Sequence, residues 1–197
     1  MIVIKFGGTS VGDTAAVQRA AGIVAERVDR KPIVVVSALG GVTSALITMA
    51  YQAARGQIIG AIRCVEGLRE RHLETARALL SGASQSQVAG ELSDIFDELE
   101  KLAHALSVLA HLTPRSLDTI AAAGERASSL LVAAAFGRWG TPLETLALSG
   151  GIAVLVAALT HILTLDGNLH FTVRSESGEV IESATVSELI ERVEAFK

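Results

Sequence analysis

Two short apolar runs, IVIKF at 2–6 and IVVVSA at 33–38, are each followed closely by a glycine pair and then by a helical pattern. Ile2, Val3, Ile4 and Phe6 read as a buried strand. Residues 14–29 carry helical spacing, with Ala16, Val17, Ala20, Ile23, Val24 and Val28 on one side, and Pro32 closes the stretch. The second run is almost continuously β-branched, the mark of a strand covered on both faces in a parallel sheet. A second helix pattern starts at Val42. The first 55 residues therefore read as β-α-β-α. A right-handed crossover makes the two strands adjacent and parallel. Ligands of open α/β sheets sit at the carboxyl ends of strands, so the loops 7–12 and 39–42 are expected to open on one crevice.

The row GGTSVGD at 7–13 narrows the chemistry. Glycines weaken a strand and are used where the backbone turns sharply or approaches something closely. Backbone N–H groups at a strand-to-helix turn form an anion cradle, and phosphate is the obvious occupant. Taken alone, the same glycines also read as tight turns of an α/β sheet.

Farther along, residues 57–80 are charged and helical, and 91–112 form an amphipathic helix. Its stripe of Leu92, Ile95, Phe96, Leu99, Leu102, Leu106 and Leu109 is expected to be core or an oligomer contact. SGASQSQ at 81–87 reads as the loop between them. Pro114 opens a helix that Gly140 ends, and 141–148 reads as a third strand. Residues 169–183 read as a hairpin turning near Ser177-Gly178. The terminal helix after it has Thr185 and Glu188 spaced as a capping box. A soft boundary at 149–151 separates residues 1–150, with a helical lid at 57–112, from a tail at 151–197 expected to pack on the same domain.

Composition excludes several classes. Net charge is −4 with no basic cluster, which argues against nucleic acid. The most lipid-like run, 152–165, is too short to span a bilayer and contains His161, so no membrane partner is expected. No secretory signal is visible, and the single cysteine, Cys64, fits a reducing cytoplasm and reads as a packed small side chain. The five histidines are not spaced as a metal cluster, so no intrinsic metal site is expected. His104 and His111, seven apart, read as one solvated helix face.

KFGGTSV at 5–11, VVVSALGGVTSALI at 34–47 and TPRSLDTIAAAGERASSLLVAAA at 113–135 together resemble the amino-terminal half of an aspartate kinase. The resemblance covers roughly residues 1–146. It implies an α/β amino acid kinase fold, with a mainly parallel sheet and helices on both faces, truncated and ending in the hairpin and helix. It also implies ATP and Mg2+ as cofactors and L-aspartate as substrate, phosphorylated on its side-chain carboxylate towards lysine, threonine and methionine. Lys5 would be the catalytic cation on the transferring phosphoryl group. Gly7, Gly8, Thr9, Ser10, Ser37, Gly40 and Gly41 would line the phosphate path. Thr43 and Glu125 would contact the aspartate, Glu125 through its ammonium group. Physical chemistry agrees, because phosphoryl transfer needs positioning and positive charge more than covalent chemistry.

Residues 151–197 carry no GGSD-type motif and do not resemble the nucleotide half of that family. Three readings follow: a kinase, a non-catalytic aspartokinase-like binding or partner subunit, and an inactive fragment. A homo-oligomer or association with another kinase chain is expected.

Overall fold

The computed structural model describes residues 2–30, 32–138, 170–174 and 180–185. Strands β1 (Ile2–Phe6) and β2 (Pro32–Val36) pair in parallel, with Ile2 opposite Pro32 and Phe6 opposite Val36. Helix α1 (Thr14–Ala25) makes the crossover between them. Helices α2 (Val42–Ala54), α3 (Ile58–Leu79), α4 (Gly82–Leu109) and α5 (Pro114–Arg138) follow. This is an α/β fold, mostly helical with a small parallel sheet.

Local chemistry explains the element ends. Asp13 caps α1, its carboxylate accepting from the Ala16 amide at 2.7 Å. Pro114 takes the first position of α5, where its missing N–H costs nothing, and the Thr113 hydroxyl accepts from the Ser116 amide at 3.0 Å. Gly41, with φ of +81°, precedes α2 in a left-handed conformation that favours glycine.

Four expectations need correction. Strand β1 is not buried throughout: its pleat alternates, so Phe6 is buried while Val3 is 52% exposed and Lys5 is also exposed. Helix α1 stops at Ala25, and residues 28–30 form a short 3-10 turn. Its buried stripe is Ala16, Val17, Ala20, Ala21 and Val24, which leaves Ile23 and Val28 exposed at its edge. Residues 82–87 are helical and not a loop. Ser86 donates to the Gly82 carbonyl and Gln87 to the Glu91 carboxylate along the helix. Finally, α4 ends at Leu109, where Ala110 takes φ of +49°, so His111 shares no helix face with His104.

One hydrophobic cluster runs through the described helices. Leu46 and Met49 of α2, Val65 and Leu68 of α3, Leu92, Phe96 and Leu99 of α4, and Leu131 and Phe136 of α5 all belong to it. The leucine stripe is therefore core from Leu92 to Leu106, with Leu102 partly buried, while Leu109 is exposed. Arg69 ties α3 to α4 through Asp97 at 2.7 Å and Glu100 at 3.6 Å. Cys64 is half-buried, and its thiol meets the Ala45 carbonyl at 3.5 Å.

The chain divides into two compact units, Met1–Gly150 and Gly151–Lys197. In the second, β3 (His170–Arg174) pairs antiparallel with β4 (Val180–Thr185), with a register shift between Val173 and Arg174. The expected third strand at 141–148, the apolar run at 152–165 and the terminal helix lie outside the described residues. No described helix is long and apolar enough to cross a membrane.

Candidate functional site

The two glycine loops are in direct contact. A Cβ on Gly8 would lie 2.8 Å from the Ala38 carbonyl oxygen and 3.5 Å from the Gly40 Cα. A Cβ on Gly40 would lie 3.4 Å from the Gly8 carbonyl oxygen. Backbone meets backbone, and only glycine permits that distance. The parallel pairing causes the approach. Phe6 and Val36 end the ladder side by side, and the Ser37 amide donates to the Phe6 carbonyl at 3.0 Å. Both chains then leave the sheet at the same edge. Ser37 stands just past β2, since the strand ends at Val36.

Helix α5 closes on this edge. The Ser128 hydroxyl lies 2.8 Å from the Ser37 carbonyl oxygen and 3.0 Å from that of Glu125. Gly124 packs so closely that a Cβ there would stand 3.0–3.2 Å from Val42, Leu46 and Ala38. The part-buried Glu125 is thereby carried on the turn of α5 that meets the 37–43 segment. Arg126 is engaged elsewhere, with Glu98 at 2.9 Å.

Lys5, Thr9, Ser10, Gly41 and Thr43 are exposed, and Gly7, Gly8, Ser37 and Gly40 are partly so. Thr9 and Ser10 lie on a 3-10 turn, Gly8–Val11, whose last residue Val11 is buried and anchors it. The structure thus brings Gly8, Ser37, Gly40 and the Glu125 turn together around the end of β2. It places Lys5 at the end of β1 and Thr43 in the first turn of α2. As a chemical set these groups offer an ammonium, several hydroxyls, glycine backbone and one carboxylate. That set suits an anionic phosphoryl group beside a zwitterion.

Sequence reasoning missed Arg71. From α3 its guanidinium donates to the Gly40 carbonyl at 2.8 Å and to the Gly12 carbonyl at 3.1 Å. It sits among other charged residues of an amphipathic helix, so no local signal distinguishes it. Asp13 was also missed, although an aspartate before an apolar helix pattern is a readable cap.

A separate open groove of about 470 Å³ lies between α4 and α5, lined by Glu91, Asp94, Ile95, Arg126, Ser129 and Leu130 among others. It contains none of the expected site residues. Among the described residues no group of three or more His, Cys, Asp or Glu is arranged to hold a metal ion.

The chain is similar to plant aspartokinases. It is 29% identical over 138 residues to bifunctional aspartokinase/homoserine dehydrogenase 1, chloroplastic, of Arabidopsis thaliana, covering 70% of this chain and 15% of that protein. It is 30% identical over 140 residues to aspartokinase 3, chloroplastic, of the same plant, covering 70% of this chain and 24% of that protein. Its fold matches E. coli aspartokinase III in complex with lysine and aspartate, at a TM-score of 0.65 and 22% identity, over 97% of this chain and 47% of that one. The same enzyme in complex with aspartate and ADP also matches at a TM-score of 0.65, with 23% identity, over 94% of this chain and 43% of that one. The chain thus spans less than half the length of these relatives. A model of the amino acid kinase family matches residues 1–193, well past the last aspartokinase-like motif at 113–135, and the chain belongs to that family.

Proposed function

We propose that residues 1–150 form the acceptor side of an aspartokinase, binding L-aspartate beside the phosphoryl group that its side-chain carboxylate receives from ATP. The observation that carries this reading is the backbone contact of Gly8 with Ala38 and Gly40 at the shared edge of β1 and β2. It leaves two glycine loops side by side, with exposed Lys5 on the strand before one, Thr9 and Ser10 on that loop, and Thr43 after the other. In this reading Lys5 neutralises the phosphoryl group, and Gly7, Gly8, Thr9, Ser10, Ser37, Gly40 and Gly41 surround it. Thr43 orients a substrate carboxylate, and Glu125 receives the ammonium. The similarity to plant aspartokinases and to a bacterial aspartokinase fold holding aspartate supports the choice of acceptor.

The residues fit a phosphate: a cation, hydroxyls and unhindered backbone are its usual partners. ATP would supply the transferable phosphoryl group, and Mg2+ would arrive on its phosphates. Adenine and ribose contacts belong in this reading to groups outside 1–150. Association with a second copy or with another kinase chain is part of the proposal, as is a reducing compartment for half-buried Cys64.

Calorimetry with L-aspartate tests the reading. The chain should bind it weakly, and Glu125→Ala should weaken binding by about 2–5 kcal/mol, the cost of removing one partner of a charge pair. Equal affinity in both proteins would remove Glu125 from the site.

A further inference from the structure

We infer that Arg71 is a positioning residue that sets the phosphate-facing geometry of both glycine loops, an inference that rests on the proposed reading of the site. Its guanidinium reaches two carbonyls that are remote from it and from each other in sequence, that of Gly40 at 31 positions and that of Gly12 at 59. The half-buried side chain spans the two loops, and the fork geometry of arginine lets one group hold both oxygens.

The consequence follows from peptide planarity. In a trans peptide the C=O and N–H of one unit point in opposite directions. The carbonyl of Gly40 belongs to the unit that carries the Gly41 amide, and that of Gly12 to the unit that carries the Asp13 amide. Holding both oxygens on Arg71 turns both N–H groups to the side away from it. Gly41 and Asp13 are the capping residues of α2 and α1, so the two oriented amides stand at two helix starts. Gly8 approaches both: a Cβ on Gly12 would lie 3.1 Å from the Gly8 carbonyl oxygen, and one on Gly40 would lie 3.4 Å from it. A helix start alone favours anions modestly. Here a buried-edge arginine fixes two of them in one arrangement, with its positive charge behind them.

Arg71 itself need not touch a ligand. Its own helix holds it: the Thr75 hydroxyl donates to the Arg71 carbonyl at 2.8 Å, and the adjacent His72 is fully buried. Lysine could not replace it fully, because an ammonium is a point charge without the planar fork.

The test is an NMR titration of the full chain with inorganic phosphate and, separately, with L-aspartate, following the amides of Gly8, Asp13 and Gly41. In the unmodified chain phosphate should shift these amides. Arg71→Ala should weaken phosphate about tenfold, as expected for losing charge-assisted hydrogen bonds, while L-aspartate affinity changes less than about twofold. Arg71→Lys should fall between, and guanidinium ion at millimolar concentration should restore phosphate binding to Arg71→Ala. If Arg71→Ala does not fold, the same split between phosphate and aspartate is read from Arg71→Lys. Unchanged phosphate affinity in a folded variant, or equal loss for both ligands, overturns the role of Arg71 and leaves the site reading standing. Absence of any phosphate shift at these amides in the unmodified chain overturns the site reading, and the role of Arg71 with it.

Discussion

The Ser128 hydroxyl meets the Ser37 carbonyl at 2.8 Å across 91 positions of sequence, fastening α5 to the strand end where the two glycine loops begin. Ser128 is fully buried, and its loss takes this partner from the part-buried Ser37 carbonyl. Ser128→Ala should cost about 1–2 kcal/mol of stability. Urea denaturation of the two proteins measures it, and a difference below a few tenths would mean the bond contributes nothing net.

Gly7 and Gly8 are adjacent and should respond oppositely to the same change. At Gly8 an added Cβ would lie 2.8 Å from the Ala38 carbonyl, which is backbone and yields little. Gly8→Ala should destabilise by about 1–3 kcal/mol through overpacking. At Gly7 nothing lies within 4 Å, and its φ of −73° suits any residue. Gly7→Ala should be neutral or stabilising by up to about 1 kcal/mol, since it restricts the unfolded chain. Paired thermal melts decide this.

His72 makes stability depend on pH. Burial pushes its pKa below the ordinary histidine value, opposed by its contact with the Leu68 carbonyl at 2.7 Å, while the Arg71 charge adds to the lowering. The folded state therefore keeps the ring neutral where the unfolded chain takes up a proton. The unfolded state binds more protons, so stability rises with pH in that window. This contribution is complete above about pH 6.5, the unfolded value, and is lost as pH falls towards the folded one. His72→Gln should flatten that part of the pH profile, and urea midpoints measured from pH 7.5 downward will show whether it does.

Lys5 should matter to phosphate and not to the fold. It is exposed at the end of β1, so Lys5→Ala should shift stability by less than about 0.5 kcal/mol. In a hydroxamate assay with L-aspartate and Mg-ATP, the chain alone should show little turnover, because one side of an in-line transfer is not enough. Turnover of about 1 per second or more, abolished by Lys5→Ala, would mean that residues 151–197 build a nucleotide site.

The sequence alone determined what is local. Strands expected at 2–6 and 33–38 and found at 2–6 and 32–36, the crossover helix, the proline start of α5 and the glycine loops follow from patterns within a few residues, and the parallel pairing follows from the β-α-β crossover. The positions of Lys5 and of the glycine loops at the strand ends were legible for the same reason. Tertiary structure alone decided the rest. Val3 and Lys5 share a face of β1 that the described structure leaves exposed, which an apolar run cannot announce. Residues 82–87 are helical although they are largely exposed: they extend α4 ahead of its first buried residue, Val88, against a loop-like composition. Arg71, Gly124 and Ser128 look ordinary in their helices. Their roles arise from partners tens of residues away, and such contacts depend on how helices cross, which no local pattern encodes.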